Sequence, residues 1–211
     1  PLMDLSRRRF LDAAALLALA SPLEARATDR KGAADAPEDA VAMAQAVREG
    51  RTTPLALVER AISRLQAANP KINCVAFPHF DRARARAKAG VAGPLGGVPT
   101  LIKDNTAQKG LPNTNSLRMY LDAVAERDDP YVEAIERAGM ISIGRSTLPE
   151  FASNLTTESA LTGITRNPWN LDYTSGGSSG GSSAAVAAGI VPVAHGNDAA
   201  GSLRHAAAPC G

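Results

Sequence analysis

The chain has 211 residues, 45% of them hydrophobic, 21% charged and 4% aromatic, and 23 basic against 21 acidic side chains leave a net charge of +2. That is one ordinary domain with apolar material for a core, which excludes global disorder and the concentrated basic surface of a nucleic-acid-binding protein. Cys74 and Cys210 are too few for a disulfide scaffold, His79, His195 and His205 lack metal-ligand spacing, and no apolar run reaches the roughly 20 residues of a membrane helix.

The N-terminus reads as an address. Met3 has the look of the true start, since Pro1 and Leu2 precede it. Arg7-Arg8-Arg9 stand before Phe10-Leu11 and a short apolar stretch, Ala13 to Ala20, and Ala25-Arg26-Ala27 fits a small-x-small cleavage site. This order is that of a secretory signal, and the arginines before Phe-Leu resemble a twin-arginine signal. Residues 1–27 are therefore expected to direct export to the periplasm or beyond. Residues 28–36, small and polar, are expected to be a linker. The competing reading of the first segment is an ordinary amphipathic helix with a basic cap.

Further along, Pro37 opens a helical pattern through Val47, stopped by Gly50. Thr53-Pro54 starts a second helix with Leu55, Val58, Ile62 and Leu65 on one face, ended by Asn69-Pro70. Ile72 to Phe77 reads as a strand, and Phe80 to Ala89 as a basic helix closed by Gly90. Leu95 to Pro99 is a turn into a strand, Thr100 to Lys103. A helix over 130–138, a buried strand over 140–143 and a short helix from Pro149 follow. An alanine-rich helix to Gly189 and a strand over 190–194 complete the alternation, which argues for an α/β sheet.

The unusual segment is Thr174-Ser175-Gly176-Gly177-Ser178-Ser179-Gly180-Gly181-Ser182-Ser183. A flexible linker does not fit, because an apolar helix and strand follow at once. A phosphate cradle lacks the lysine of a P-loop and the spacing of a dinucleotide fingerprint. The remaining reading is a loop that brings a serine hydroxyl and backbone N–H groups close to a reacting carbonyl, with glycine allowing the approach. A serine needs a base. Lysine can serve if burial lowers its pKa, and Lys103 ends an apolar run, although a strand-end lysine is usually solvated. The plainer alternative is that Asp104, next to it, simply pairs with it.

Gly97-Val98-Pro99 leading to Lys103-Asp104, then the glycine-serine run, then Asp198, Gly201-Ser202 and Arg204 together resemble the amidase signature family. The offsets agree: 75 residues from Lys103 to Ser178 and 24 from Ser178 to Ser202. Thr165-Arg166-Asn167-Pro168-Trp169-Asn170 is similar to the family's approach to the loop. Segment 195–204 looks most like the branch of 6-aminohexanoate cyclic-dimer hydrolases. The resemblance implies a mixed twisted sheet covered by helices and a Ser-cisSer-Lys triad: Ser202 as nucleophile, Ser178 beside a cis peptide as relay, Lys103 as neutral base. It implies that the N–H groups of Ala199, Ala200 and Gly201 form an oxyanion hole braced by an Asp198–Arg204 pair. It also implies hydrolysis of a linear or cyclic small-molecule amide, without metal or cofactor; a homodimer is left open.

Ser179, Ser182 and Ser183 read as loop and cap hydroxyls, Ser179 with a further option in substrate binding, and His195 and Cys210 as packed residues. Ala200 stands where many members carry glycine, and His205-Ala206 where an aliphatic residue and proline are usual. Members run to more than twice this length, so residues 37–211 are expected to be the N-terminal part of such a domain. Two rivals stand beside an exported amidase. One is the amidotransferase subunit that converts glutamyl-tRNA, against which the export signal argues. The other is a non-catalytic binding protein, against which Lys103, Ser178 and Ser202 argue.

Overall fold

The computed structural model describes residues 39–211. The export signal and linker expected over residues 1–36, and Pro37 as a helix opener, lie outside the described residues. Helix α1, Ala40–Arg48, is capped by the Asp39 carboxylate, which accepts the Ala42 N–H at 2.8 Å. Helix α2, Pro54–Ile72, starts as expected: the Thr53 hydroxyl accepts the Ala56 N–H, and Pro54 takes the first turn, where its missing N–H costs nothing. Its buried face carries Leu57, Val58, Ala61, Ile62 and Leu65, with Leu57 buried in place of the half-buried Leu55.

Helix α2 does not stop at Asn69-Pro70. It runs to Ile72 and ends at Asn73, which adopts the left-handed conformation (φ 51°). Pro70 forfeits one hydrogen bond in the last turn only. The Asn69 side chain holds that turn by accepting the Cys74 and Val75 N–H groups at 2.8 and 3.0 Å. The strand that follows, β1, is therefore Val75–Pro78, shorter than expected.

Helix α3 is Phe80–Ala89, ended at Gly90 as expected. Strand β2, Pro99–Lys103, is buried along its whole length. Helix α4, Pro130–Arg137, is capped by Asp129, and strand β3 is Ile141–Ser146. The three strands form one sheet in the order β1-β3-β2, with β1 antiparallel and β2 parallel to β3. The parallel pair needs a long crossover, and α4 lies within it. The fold is thus mixed α/β. The register sets Lys103 opposite Ser146 at the end where β2 and β3 finish together.

Two short antiparallel hairpins, β4 (Glu158–Ser159) with β5 (Gly163–Ile164) and β6 (Arg166–Asn167) with β7 (Asn170–Thr174), lead to helix α5, Gly180–Ala187. Helix α6, Arg204–Cys210, closes the chain. The main core joins Val58, Ile62 and Leu65 of α2 to Leu101, Ile141 and Ile143 of the sheet and Ala184 and Ala185 of α5. Each large aliphatic side chain buried there contributes about 1.5–3 kcal/mol.

Residues 190–194 form no strand. They run irregularly beside β2, held by the Thr100 hydroxyl donating to the Val193 carbonyl and by the His195 N–H donating to the Leu101 carbonyl, at 3.0 and 2.9 Å. Pro192 has no N–H to give a ladder. Among the described residues no helix is long and apolar enough to cross a membrane.

Candidate active site

The site gathers at the C-terminal end of β2, where the glycine-serine loop and the turn before α6 come together. Gly176 adopts φ +75°, and a Cβ there would lie 2.9 Å from the Ala206 Cα, so glycine lets the loop lie against α6. Gly181 plays the same part at the start of α5, where a Cβ would meet the Cys74 carbonyl oxygen at 2.6 Å. Between them the Gly177–Ser178 peptide bond is cis. The approach segment is tied to the last turn of α6: Asn167 Nδ2 donates to the Pro209 carbonyl and Trp169 Nε1 to the Cys210 carbonyl, both at 2.7 Å.

Lys103 is fully buried. Its Nζ lies 2.8 Å from Ser178 Oγ, 3.0 Å from Ser179 Oγ and 2.8 Å from Asn197 Oδ1. Burial pulls its pKa down to about 8, against the opposing pull of the Asp198 carboxylate. The alternative of a Lys103–Asp104 pair does not hold. Asp104 turns to Arg145, 3.3 Å away, and accepts from the N–H and the hydroxyl of Thr114. Asp104 lies in the turn that follows β2, and its side chain meets Arg145 and Thr114 rather than the loop hydroxyls around Lys103.

Ser178 and the half-buried Ser202 line one cleft of about 730 Å³, together with Asn105, Asn197, Tyr131 and Phe151. The Ser179 N–H donates to the Ser202 carbonyl at 3.2 Å, which couples the loop to the turn. Ser179 is more than a loop hydroxyl, since it touches the lysine. Ser182 donates to the His195 carbonyl at 2.6 Å, and Ser183 to the Gly180 carbonyl at 3.1 Å. His195 is packed, as expected. Its ring lies against Tyr131, its Nδ1 accepts the Lys103 N–H at 3.4 Å, and burial followed by the charges of Lys103 and Arg145 lowers its pKa to about 4. Cys210 is buried with its thiol donating to the Ser175 carbonyl.

Asp198 and Arg204 do pair: Arg204 Nε and Nη2 reach the two carboxylate oxygens at 3.0 and 3.1 Å. Asp198 also accepts the N–H groups of Gly201, Leu203 and Arg204, and with the guanidinium first among the causes these hold its carboxyl well below the usual range. One expectation changes here. The Gly201 N–H, expected to face an oxyanion, donates to Asp198 at 2.5 Å, because that carboxylate sits inside the turn. Ala199 lines the cleft. Ala200 is not left-handed, so the freedom of glycine is not required there, whereas Gly201 has φ +104°. His205-Ala206 do not prevent α6, whose first turn holds through the His205 N–H to the Gly201 carbonyl at 2.7 Å. Among the described residues no three His, Cys, Asp or Glu side chains cluster to hold a metal.

Sequence reasoning missed Asn197 and Asn105. Asn197 precedes the Asp198 motif directly, but nothing local marks its side chain as a lysine partner.

A family model described as Amidase matches residues 56–211. The chain belongs to the amidase family. It is 45% identical over 177 residues to the 6-aminohexanoate-cyclic-dimer hydrolase of Paenarthrobacter ureafaciens, covering 82% of this chain and 36% of that protein. A solved structure of 6-aminohexanoate cyclic dimer hydrolase complexed with substrate matches with a TM-score of 0.76 and 44% identity, over 79% of this chain and 35% of that one. The A-type subunit of glutamyl-tRNA(Gln) amidotransferase from Methylacidiphilum infernorum is 43% identical over 160 residues, 75% of this chain and 32% of that protein. The chain thus spans about a third of the length of these relatives.

Proposed function

We propose that this amidase-family chain carries the catalytic centre for hydrolysis of a carbon–nitrogen amide bond in a small molecule, through an acyl-serine intermediate. The observation that carries the reading is the buried Lys103 Nζ, 2.8 Å from Ser178 Oγ, in a site whose burial shifts the amine toward its uncharged form. Ser202 Oγ attacks the carbonyl carbon. Its proton passes to Ser178 Oγ as the Ser178 proton passes to the Lys103 lone pair. The carbonyl π electrons move to oxygen, where the N–H groups of Ala199 and Ala200 receive the charge, Gly201 being engaged by Asp198. Losing one such donor costs roughly 2.7–4 kcal/mol. Collapse breaks the C–N bond, and the departing nitrogen takes a proton from Lys103 through Ser178. Water then repeats the sequence on the acyl-serine and releases the acid.

Cyclic and linear amides of the 6-aminohexanoate type are the first substrates to test, given the 45% identity to a hydrolase of that name. The arginine-containing N-terminal segment supports an exported, periplasmic enzyme and argues against a tRNA substrate. The test is fluorophosphonate labelling of the full-length protein together with an amide screen. Labelling at Ser202 with amide turnover, both lost in Ser202→Ala, is expected. No labelling and no turnover overturns the reading in favour of a binding protein. Turnover only of glutamyl-tRNA with an ammonia donor overturns it in favour of an amidotransferase.

A further inference from the structure

A neutral lysine amine has two N–H bonds and one lone pair. Proton transfer from Ser178 requires the lone pair, not an N–H, to face Ser178 Oγ. Rotation about the Cε–Nζ bond is nearly free in an isolated lysine, so something must select that orientation.

Three oxygens surround Lys103 Nζ, and their bonding capacities differ. Asn197 Oδ1, at 2.8 Å, can only accept. The Asn197 amide cannot present its nitrogen instead, because its Nδ2 donates to Asn105 Oδ1 at 3.0 Å. The Thr106 hydroxyl, 3.5 Å from Asn105 Oδ1, is at most a weak second donor to the same acceptor. Ser179 has one hydroxyl proton, and it goes to the Asn197 carbonyl oxygen at 3.3 Å. Ser179 Oγ must therefore accept from Lys103 at 3.0 Å. Two obligate acceptors consume both N–H bonds of the neutral amine, and the third direction, toward Ser178 Oγ, is left to the lone pair.

We propose that Asn197, locked by Asn105, and Ser179 are positioning residues that aim the lone pair of neutral Lys103 at the Ser178 hydroxyl. This inference rests on the reading of Lys103 as the base. The other charged and titratable groups around the amine are accounted for. Asp198 faces it but is tied to Arg204, His195 meets the Lys103 backbone, and Asp104 is paired with Arg145.

The experiment is kcat and KM against pH for the full-length protein and its Asn197→Asp, Ser179→Ala and Lys103→Ala variants, with any amide that the wild type turns over. Asn197→Asp keeps the shape but sets a carboxylate against Nζ and holds the lysine protonated. The midpoint of its kcat/KM profile is expected to move up by about one pH unit or more, with about a tenfold loss at pH 7 that is recovered at high pH. Ser179→Ala leaves one acceptor and lets the amine rotate. Its kcat is expected to fall about fivefold or more across the plateau, with KM held. An Asn197→Asp midpoint at the wild-type value, or variants that change KM alone, overturns the proposal. If Asn197→Asp does not fold, an unchanged kcat in Ser179→Ala overturns it. Lys103→Ala separates the two readings. Retained activity there removes the base itself, while a dead Lys103→Ala beside an unshifted Asn197→Asp removes only the positioning role.

Discussion

Asp104 gives its carboxylate to Arg145, 3.3 Å away and equally buried, and so leaves its chain neighbour Lys103 among neutral oxygens. The pair sits behind the sheet end, where Arg145 Nη2 also donates to the Thr106 carbonyl at 2.6 Å. Two adjacent charged residues on one strand end are thereby separated into an ion pair and a desolvated amine. Burial of that amine is what lowers the pKa of the lysine.

Breaking the pair on one side leaves an uncompensated buried charge. Arg145→Ala is expected to destabilise the protein by about 3–5 kcal/mol, the usual range for such a loss. Urea unfolding of the full-length variant measures it. A loss below about 1 kcal/mol would show that Asp104 takes up a proton or a water at little cost.

The pH dependence has a definite sign. As the proposed base, Lys103 would have to be neutral in the free protein to accept a proton, and its pKa is lowered from 10.5 to about 8 by burial. kcat/KM should rise with pH and level off above about 8. Lys103→Arg should be inactive at every pH, since a guanidinium stays protonated. An arginine variant with near-wild-type kcat/KM would reduce Lys103 to a structural charge.

Arg204 is exposed, whereas its partner Asp198 is held inside the turn that precedes α6. Arg204→Ala should therefore affect the turn more than the global stability. On the proposed mechanism it is expected to lower kcat more than it raises KM, because a loosened turn would misplace the N–H groups assigned to the transition state. A pure KM effect, with kcat unchanged, would assign Arg204 to substrate binding.

Export is tested without assaying chemistry. Arg7→Lys combined with Arg8→Lys should leave the protein uncleaved in the cytoplasm, while N-terminal sequencing of the exported wild type should begin near Thr28. Unaltered export of the double variant would remove the twin-arginine reading.

Local chemistry made much of the fold legible in advance. Thr53-Pro54 fixes the start of α2 by a hydroxyl cap and a proline, and Gly90 ends α3, because caps act over three or four residues. The ordered set Lys103, Ser178 and Ser202, with its spacing, pointed to one family, and the structure brings Lys103 and Ser178 within 2.8 Å. Other features depended on where distant segments meet. The end of α2 moved past Pro70 because the Asn69 side chain found the next strand. Residues 190–194 lost their strand because Pro192 cannot supply a donor beside β2. Above all, the surroundings of the lysine were decided by tertiary structure. Asn197 lies 94 residues from Lys103 and Arg145 lies 41 residues from Asp104. A side chain's hydrogen-bond partner follows from the three-dimensional register of β2, the glycine-serine loop and the turn before α6. Asp104, in the turn just after β2, thus became the partner of Arg145 and not of its chain neighbour.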